Sequence, residues 1–444
     1  MVNLTVVSLY TGAGGLDYGF EAAGFQTRVA VEMDRDCCAT LAANRDWPII
    51  CDDISRVTSA RILDVAGLRK GEVDVLIGGP PCQPFSKSGY WVNGDAGRLR
   101  DPRASTLFEY MRCVRDLLPR VFLLENVHGI SYSGKEEGFL LLEQLTREIN
   151  RKEGVNYSLS WKVLDSMHYG VPQTRVRFFL VAHRDGILFR FPSPTHAPGQ
   201  VPAQGTLMAM SEPAPLVTAW DAIGGFTPPA NEDLRVRGRW ADLLPTIPEG
   251  QNYLWHTTRG GGVPLFGWRT RFWSFLLKLA KDRPSWTIQA QPGPAIGPFH
   301  WENRRLSIEE MARLQTFPKD LTYVGSRLSV QRQLGNAVPS LLAEVLAREI
   351  RSQLLGCPVE GRPVLEVKPR RPVPPPEPVK PVPQKYLVLK GDHPDHPGEG
   401  RGSRAIQRTS AQSESSLRGA SRIAHEDCGV RKHGELMISC DGPA

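Results

Sequence analysis

The segment that points most strongly to chemistry surrounds the thiol of Cys82, in Gly78-Gly79-Pro80-Pro81-Cys82-Gln83-Pro84-Phe85-Ser86. The segment directly follows the apolar run Val73-Asp74-Val75-Leu76-Ile77. Two glycines let backbone approach a planar ligand, and the prolines stiffen the chain that presents the thiol. The pattern therefore reads as a nucleophile at the carboxyl end of a strand, where open α/β folds bind ligands. The competing reading is a buried structural cysteine in a proline-rich turn. A thiol hydrolase would need a His base and an oxyanion hole, which the local sequence does not suggest.

Three further segments carry chemistry-bearing residues. Glu125-Asn126-Val127 follows the run Val121–Leu124, placing a carboxyl group at a second strand end, although such a glutamate taken alone is most often a surface residue. In Gln173-Thr174-Arg175-Val176-Arg177, alternation puts both arginines on one face of an extended segment. A solvated basic edge strand is the alternative there. Tyr10-Thr11-Gly12-Ala13-Gly14-Gly15 stands between a strand and a helix, so its glycines admit a ligand and the helix start favours an anionic group. It is not the dinucleotide fingerprint, because position 17 is Asp, and a nicotinamide reading loses ground.

The elements that position these groups follow from periodicity. β-Branched runs at Val6–Leu9, Arg28–Val31, Val73–Ile77, Val121–Leu124 and Phe178–Val181 alternate with helical stretches, as in an α/β domain with a largely parallel sheet. Leu16, Phe20 and Ala23 share one helical face ahead of Gly24. Composition shifts at Phe191–Pro202, and the stretch to Asn303 is rich in Gly, Pro, Trp and Arg. Ser307 with Glu310 has capping-box spacing, and a helix with Leu342, Val345, Leu346 and Ile350 on one stripe runs from Ser340 to Leu355. The boundaries are 1–190, 191–303, 304–356 and a proline-rich tail, 357–444, expected to be mostly disordered.

Bulk properties exclude more than they assign. Hydrophobic content of 41% and charged content of 23% describe an ordinary soluble protein, with no run long enough for a membrane span and no basic leader at the N-terminus. The net charge of +7 says little about a polyanionic partner, because 14 basic and 10 acidic residues lie from Arg362 onward. Eight cysteines form no Cys-x-x-Cys pair, which favours reduced thiols and no metal site. The nearest ligand-like spacing is His393 and His396.

Taken in order, these motifs resemble the DNA (cytosine-5) methyltransferase family of bacterial restriction–modification type, over residues 4–190 and 303–350. The resemblance implies a Rossmann-like, S-adenosylmethionine-dependent methyltransferase domain with a smaller, irregular target-recognition domain. In that family the Pro-Cys thiolate, here Cys82, adds to C6 of a flipped-out cytosine. C5 then takes a methyl group from S-adenosylmethionine, and loss of the C5 proton releases the enzyme. C6 becomes electrophilic only when negative charge spreads onto the ring, so a carboxyl group must hydrogen-bond N3; Glu125 supplies it. The family assigns the first arginine, Arg175, to the base O2 and the backbone near the nucleophile, and the second, Arg177, to positioning the site.

On the cofactor side the resemblance implicates Tyr10, Thr11, Gly12, Gly14, Gly15, Leu16 and Pro80, with Glu32 on the ribose hydroxyls and Met33 packed on the adenine. Relatives often carry Phe at position 10 and a larger side chain at 33. Asp53-Ile54 resembles the pair that contacts the adenine, with Asp52 a competing carboxylate. Gln333-Leu334-Gly335-Asn336-Ala337-Val338-Pro339 closes the pattern, and Asn336 and Ala337 complete the cofactor pocket unless this is simple helix-entry chemistry. Arg305-Leu306 resembles the motif that orders the recognition module, Thr287-Ile288 the Thr-Leu/Ile pair that marks it, and Lys87–Arg103 a loop that closes over the flipped base.

The recognition slot interleaves Arg235, Arg237, Arg239, Arg259, Arg269, Arg271, Lys278, Lys281 and Arg283 with tryptophans, most of which must be core. Gln83, Ser86, Arg269, Arg271 and Thr287 are the candidate DNA contacts. The expected protein is a monomeric, cytoplasmic, nucleoid-associated bacterial enzyme acting on double-stranded DNA, functionally paired with a restriction endonuclease and needing no metal. A tRNA methyltransferase of the same fold and a catalytically inactive DNA-binding homologue are the alternatives.

Overall fold

Alternating apolar runs and amphipathic helices assemble in the first half of the chain into one seven-stranded sheet. The computed structural model describes residues 3–81, 105–128, 137–199, 213–268 and 272–390. In order come β1 (Leu4–Leu9), α1 (Gly15–Ala22), β2 (Phe25–Glu32), α2 (Arg35–Asn44), β3 (Ile49–Cys51), α3 (Ser59–Ala66) and β4 (Val75–Gly78). There follow α4 (Ser105–Leu117), β5 (Val121–Val127), α5 (Glu137–Glu153), β6 (Ser158–Asp165) and β7 (Val176–His183). The strand order is β3-β2-β1-β4-β5-β7-β6. β1 to β5 pair in parallel, whereas β7 runs antiparallel to both neighbours.

Every residue of β4 is buried, as a central strand covered on both faces requires. Chain direction through the sheet reverses between β1 and β4, which opens a crevice at their carboxyl ends. Tyr10, Glu32, the Gly79–Pro81 turn and Glu125 all fall along that edge. All five apolar runs carry strands, while β3 and β6 were not evident. β6 is an edge strand with Trp161 and Lys162 exposed, so burial left little alternation to read.

The last helices return to the sheet. Ser307 caps α7 (Ile308–Leu314): its hydroxyl accepts the Glu310 amide at 3.1 Å, and the Glu310 carboxylate accepts the Ser307 amide at 2.8 Å, a closed capping box. α8 (Arg327–Asn336) leads into α9 (Ser340–Gln353), whose Leu342, Leu346 and Ile350 join Leu16 and Phe20 in one core. α1 and α9 touch backbone to backbone. A Cβ on Gly19 would stand 2.4 Å from the Ser340 carbonyl, and one on Gly15 would stand 2.4 Å from the Val338 carbonyl.

Residues 213–303 have little regular structure but a core of their own, built on Trp240, Tyr253, Phe266 and Phe275. Two of the basic residues counted there as surface charge are not: Lys278 and Lys281 are buried. The expectation of disorder after residue 356 also fails for 357–390. This segment packs along the protein, with Leu365, Val367, Val382 and Leu389 against successive core clusters and Tyr386 buried. Prolines leave such a chain less conformational entropy to lose on ordering, and the apolar residues between them supply the contacts. Residues 391–444, including His393 and His396, lie outside the described part, as does the loop expected at Lys87–Arg103.

The α1–α9 contact predicts the effect of one added methyl group. Gly19→Ala should destabilise the protein by about 1–3 kcal/mol through overpacking against Ser340 and Ala343, read as a lower denaturation midpoint. An unchanged midpoint would show that the helices separate freely.

Candidate active site

The turn after β4 is held by close approach. A Cβ on Gly78 would lie 2.8 Å from the Leu9 carbonyl oxygen, and one on Gly79 would lie 2.8 Å from Glu125 Oε2. Asn126 Nδ2 donates to the Pro80 carbonyl at 3.1 Å, and Thr106 Oγ1 donates to the Pro81 carbonyl at 3.0 Å. The turn is thereby tied to β5 and α4. Cys82, Gln83 and Ser86, which follow it, lie outside the described residues, as do Arg269 and Arg271.

Glu125, in β5, is buried and faces Arg177, with Arg177 Nε 3.0 Å from Glu125 Oε1. Burial raises the carboxyl pKa above the usual glutamate range even though Arg177 and Arg175 oppose it. Arg177 lines the crevice from β7, opposite Val127. Arg175 does not. Standing just before β7, it is fully buried and donates from Nη2 to the Gly335 carbonyl at 2.8 Å, while its Nε and Nη1 have no partner among the described residues. Burial, and then repulsion from Arg177, pulls its pKa well below the ordinary value. Among the described residues, only Arg177 of the pair lines the cleft. The guanidinium at the open edge belongs to Arg177, because Arg175 is turned toward the last carbonyls of α8, which attract a cation.

Beside this group lies a cleft of about 450 Å³. Tyr10, Thr11, Gly12, Gly15, Leu16, Glu32, Met33, Pro80, Asn336 and Ala337 line it. Two of its carboxylates differ in kind. Glu32 accepts the Gly12 amide on one oxygen (2.8 Å) and the Met33 and Asp34 amides on the other (2.9 and 2.8 Å), which orients it at the end of β2. Asp17 is fully buried in the cleft wall, and among the described residues neither of its oxygens has a partner at full hydrogen-bond geometry, the Ser8 side chain being near enough only to favour its charged form.

Gly14 does not line the cleft. It caps α1 at φ +85°, with no side-chain cap on the first-turn amides. Asp53 and Ile54 do not line it either. Asp53 Oδ1 accepts the amide (2.9 Å) and hydroxyl (2.8 Å) of Ser55, and Ile54 is buried in the main core. Among the described residues no group of three or more His, Cys, Asp or Glu side chains could hold a metal ion.

Thr287 proves to be a tie between modules. Its hydroxyl donates to the Thr174 carbonyl at 2.6 Å, while the neighbouring Ile288 amide donates to Gln173 Oε1 at 3.2 Å. Gln173, fully buried, also reaches the Leu314 carbonyl through Nε2 at 3.3 Å. The residues that carry the arginines are therefore clamped between residues 287–288 and α7.

The sequence matches the model of the C-5 cytosine-specific DNA methylases over residues 4–236 and 249–352. The chain belongs to this family. It is a DNA cytosine-5 methyltransferase. It is similar to the type II methyltransferase M.SacI of Streptomyces achromogenes, 40% identical over 374 residues that cover 79% of this chain and 93% of that protein. It is also similar to the type II methyltransferase M.AquIA of Picosynechococcus, 41% identical over 237 residues covering 52% of this chain and 93% of that one. Among solved structures, the methyltransferase EhMeth of Entamoeba histolytica superposes with a TM-score of 0.52 at 15% identity, covering 80% of this chain and 99% of that one. A variant of Spodoptera frugiperda DNMT2 superposes at 0.53 and 16%, with 78% and 99% covered. These two likenesses show the fold alone.

Asp17 was visible in the methylase sequence only as the residue that breaks a dinucleotide motif. Its position in the second half of the first helical turn offered no signal of a buried, unpartnered carboxyl. Burial pushes its pKa up to about 7, with the Ser8 side chain opposing. A raised folded-state pKa means that its contribution is complete below the unfolded value and is lost as pH rises through about 7. In ligand-free methylase, Asp17→Asn should match the parent near pH 4. Its advantage should grow to a plateau above pH 7 of roughly 4 kcal/mol. Thermal melts across this range check the sign; an advantage that shrank with pH would refute it.

Proposed function

We propose that this chain methylates C5 of a flipped-out cytosine in a specific duplex DNA sequence, through a covalent bond from Cys82 to C6. One juxtaposition carries the reading: Glu125 abuts Gly79 so closely that a Cβ there would meet its Oε2. The carboxyl that activates a base and the turn that leads to the thiol therefore flank one opening, beside the cofactor cleft.

The chemistry follows from charge. As the Cys82 thiolate forms a bond to C6, the C5–C6 π electrons move to C5 and into the ring. Glu125, its proton affinity raised by burial, hydrogen-bonds N3 and stabilises that charge. Arg177 holds Glu125 in place and presents its guanidinium to the base O2. S-Adenosylmethionine, when bound, supplies an electrophilic methyl group. After transfer to C5 the C5 proton leaves, the double bond re-forms, and Cys82 departs as thiolate.

The residues present fit that cofactor. The fixed carboxylate of Glu32 suits the ribose hydroxyls, and exposed Met33 offers an apolar surface to the adenine. The uncapped start of α1 favours the methionine carboxylate. The partnerless Asp17 carboxyl offers a countercharge to the ammonium group. Asn336 and Ala337 close the far side.

In the recognition module, Trp268 and Trp273 are partly exposed, and Arg259 lies over the Trp268 ring. Such side chains suit contacts with bases and phosphates. Likeness to type II methyltransferases supports the modification role in a restriction–modification system. The enzyme then acts as a monomer in the bacterial cytoplasm, at the nucleoid.

Duplex DNA carrying 5-fluorocytosine at the target should form a stable adduct only with S-adenosylmethionine present, because fluorine blocks the final elimination. Peptide mapping should place the adduct on Cys82; any other site would sink the mechanism. Cys82→Ala should abolish turnover while cofactor affinity by calorimetry stays intact. Asp17→Asn should weaken that affinity about tenfold or more, and equal binding would remove Asp17 from the cofactor site. Methyl transfer to tRNA without transfer to duplex DNA would overturn the substrate.

A further inference from the structure

We propose that residues 363–387 form a strap that sets the angle of the recognition module against the catalytic sheet, and so determines DNA sequence discrimination. The inference rests on the reading of that module as the part that recognises DNA.

The strap starts on the catalytic side. The amides of Val364 and Leu365 donate to the two carboxylate oxygens of Glu344, at 2.6 and 2.9 Å; Glu344 is a fully buried residue of α9. Next, the Arg370 amide donates to Asp221 Oδ1 at 2.6 Å, on the short helix α6 (Ala219–Ile223). Glu377 then reaches Lys281, which is held between Glu377 and Glu249 at 2.8 Å from each. Burial alone would lower the Lys281 pKa, but the two carboxylates outweigh it and raise it. The Lys380 amide donates to the Pro245 carbonyl at 3.0 Å. Finally Tyr386 stacks on Trp240, with ring centres 5.7 Å apart and planes 18° apart, and its hydroxyl donates to the Arg239 carbonyl at 2.6 Å.

What this accomplishes follows from where the module is held otherwise. Its other ties to the catalytic side lie at residues 285–290, against Pro172–Thr174, Gln331 and Gly335, at 232–234, against Arg327 and Arg305, and in the core that Ala219, Ile223 and Ile288 share with Tyr18 and Met311. The strap is what grips 239–249. Its last anchor holds the carbonyl at the end of Arg235-Val236-Arg237-Gly238-Arg239, a basic segment with Arg235 and Arg237 largely exposed. Contacts at both ends fix an orientation that contacts at one end leave free. The strap lies away from the described cofactor cleft, and none of its residues line it. Its loss should therefore act on how DNA is read and leave the cofactor alone. Tyr386 and Glu377 are positioning residues in this scheme.

The test uses the full chain. Bisulfite sequencing with the parent enzyme maps the target, and steady-state kinetics then compare duplexes carrying that target or a single mismatch. For Tyr386→Ala, the KM for target DNA should rise about tenfold. Preference over the mismatched duplex should fall about tenfold, with kcat and S-adenosylmethionine affinity within twofold of the parent. Tyr386→Phe, which keeps the stack, should recover most of both losses. Should the alanine variant fail to fold, Glu377→Ala at the half-exposed rim should move KM and preference in the same direction by a smaller factor. Unchanged preference in a folded variant, or a fall in kcat and cofactor affinity with preference intact, overturns the strap while leaving the proposed activity standing. A parent inert on duplex DNA removes both.

Discussion

The site depends on two helices coming closer than side chains allow. α1 presents Gly15 and Gly19 to the backbone of residues 338–344, and no other residue type fits either place without displacing a carbonyl oxygen. This contact brings the end of the chain back to the first glycine-rich loop. With it come Asn336 and Ala337 on the cofactor side and the Gly335 carbonyl that receives Arg175. Backbone contact at this distance gives strong dispersion and leaves little room for sliding, so it works as a positional stop as much as an attraction.

Charge is handled differently at each point of the crevice. Glu125 and Arg177 remain paired while largely removed from water, an arrangement that tolerates burial only because the partners touch. Glu32 has no cation and is held by three backbone amides instead. Asp17 has neither and is driven toward its neutral form. Three carboxyl groups along one sheet edge thus have three different kinds of surroundings. The local partners, rather than the residue type, assign each its work.

Much of this was legible in the sequence. The five apolar runs, the Ser307 cap and the stripe of the final helix depend on nearest neighbours along the chain, and periodicity reports those directly. Where Arg175 points was not legible, because the residue stands just before β7 and a tertiary carbonyl receives its guanidinium. Asp53 and Ile54 fell away from the cleft for a similar reason: one caps a local turn and the other fills the core. Lys278 and Lys281 read as surface charge because their acceptors, the Ile247 carbonyl and the Glu249 carboxylate, lie some thirty residues away. The proline-rich tail misled in the opposite direction. Its composition reports low propensity for regular structure, and a chain without regular structure can still be bound along its length.

The meeting of α1 with α9 also gives the molecule a clock. Strands β1 to β5 hold the catalytic carboxyl and most of the cofactor wall, and all of them leave the ribosome before residue 130. At that stage the glycine face of α1 is bare, and Leu16 and Phe20 lack the apolar neighbours that α9 provides. Those arrive some two hundred residues later, so roughly ten to forty seconds of synthesis separate the first half of the site from its completion. A nascent chain thus cannot acquire its full cofactor pocket until the recognition module has already emerged.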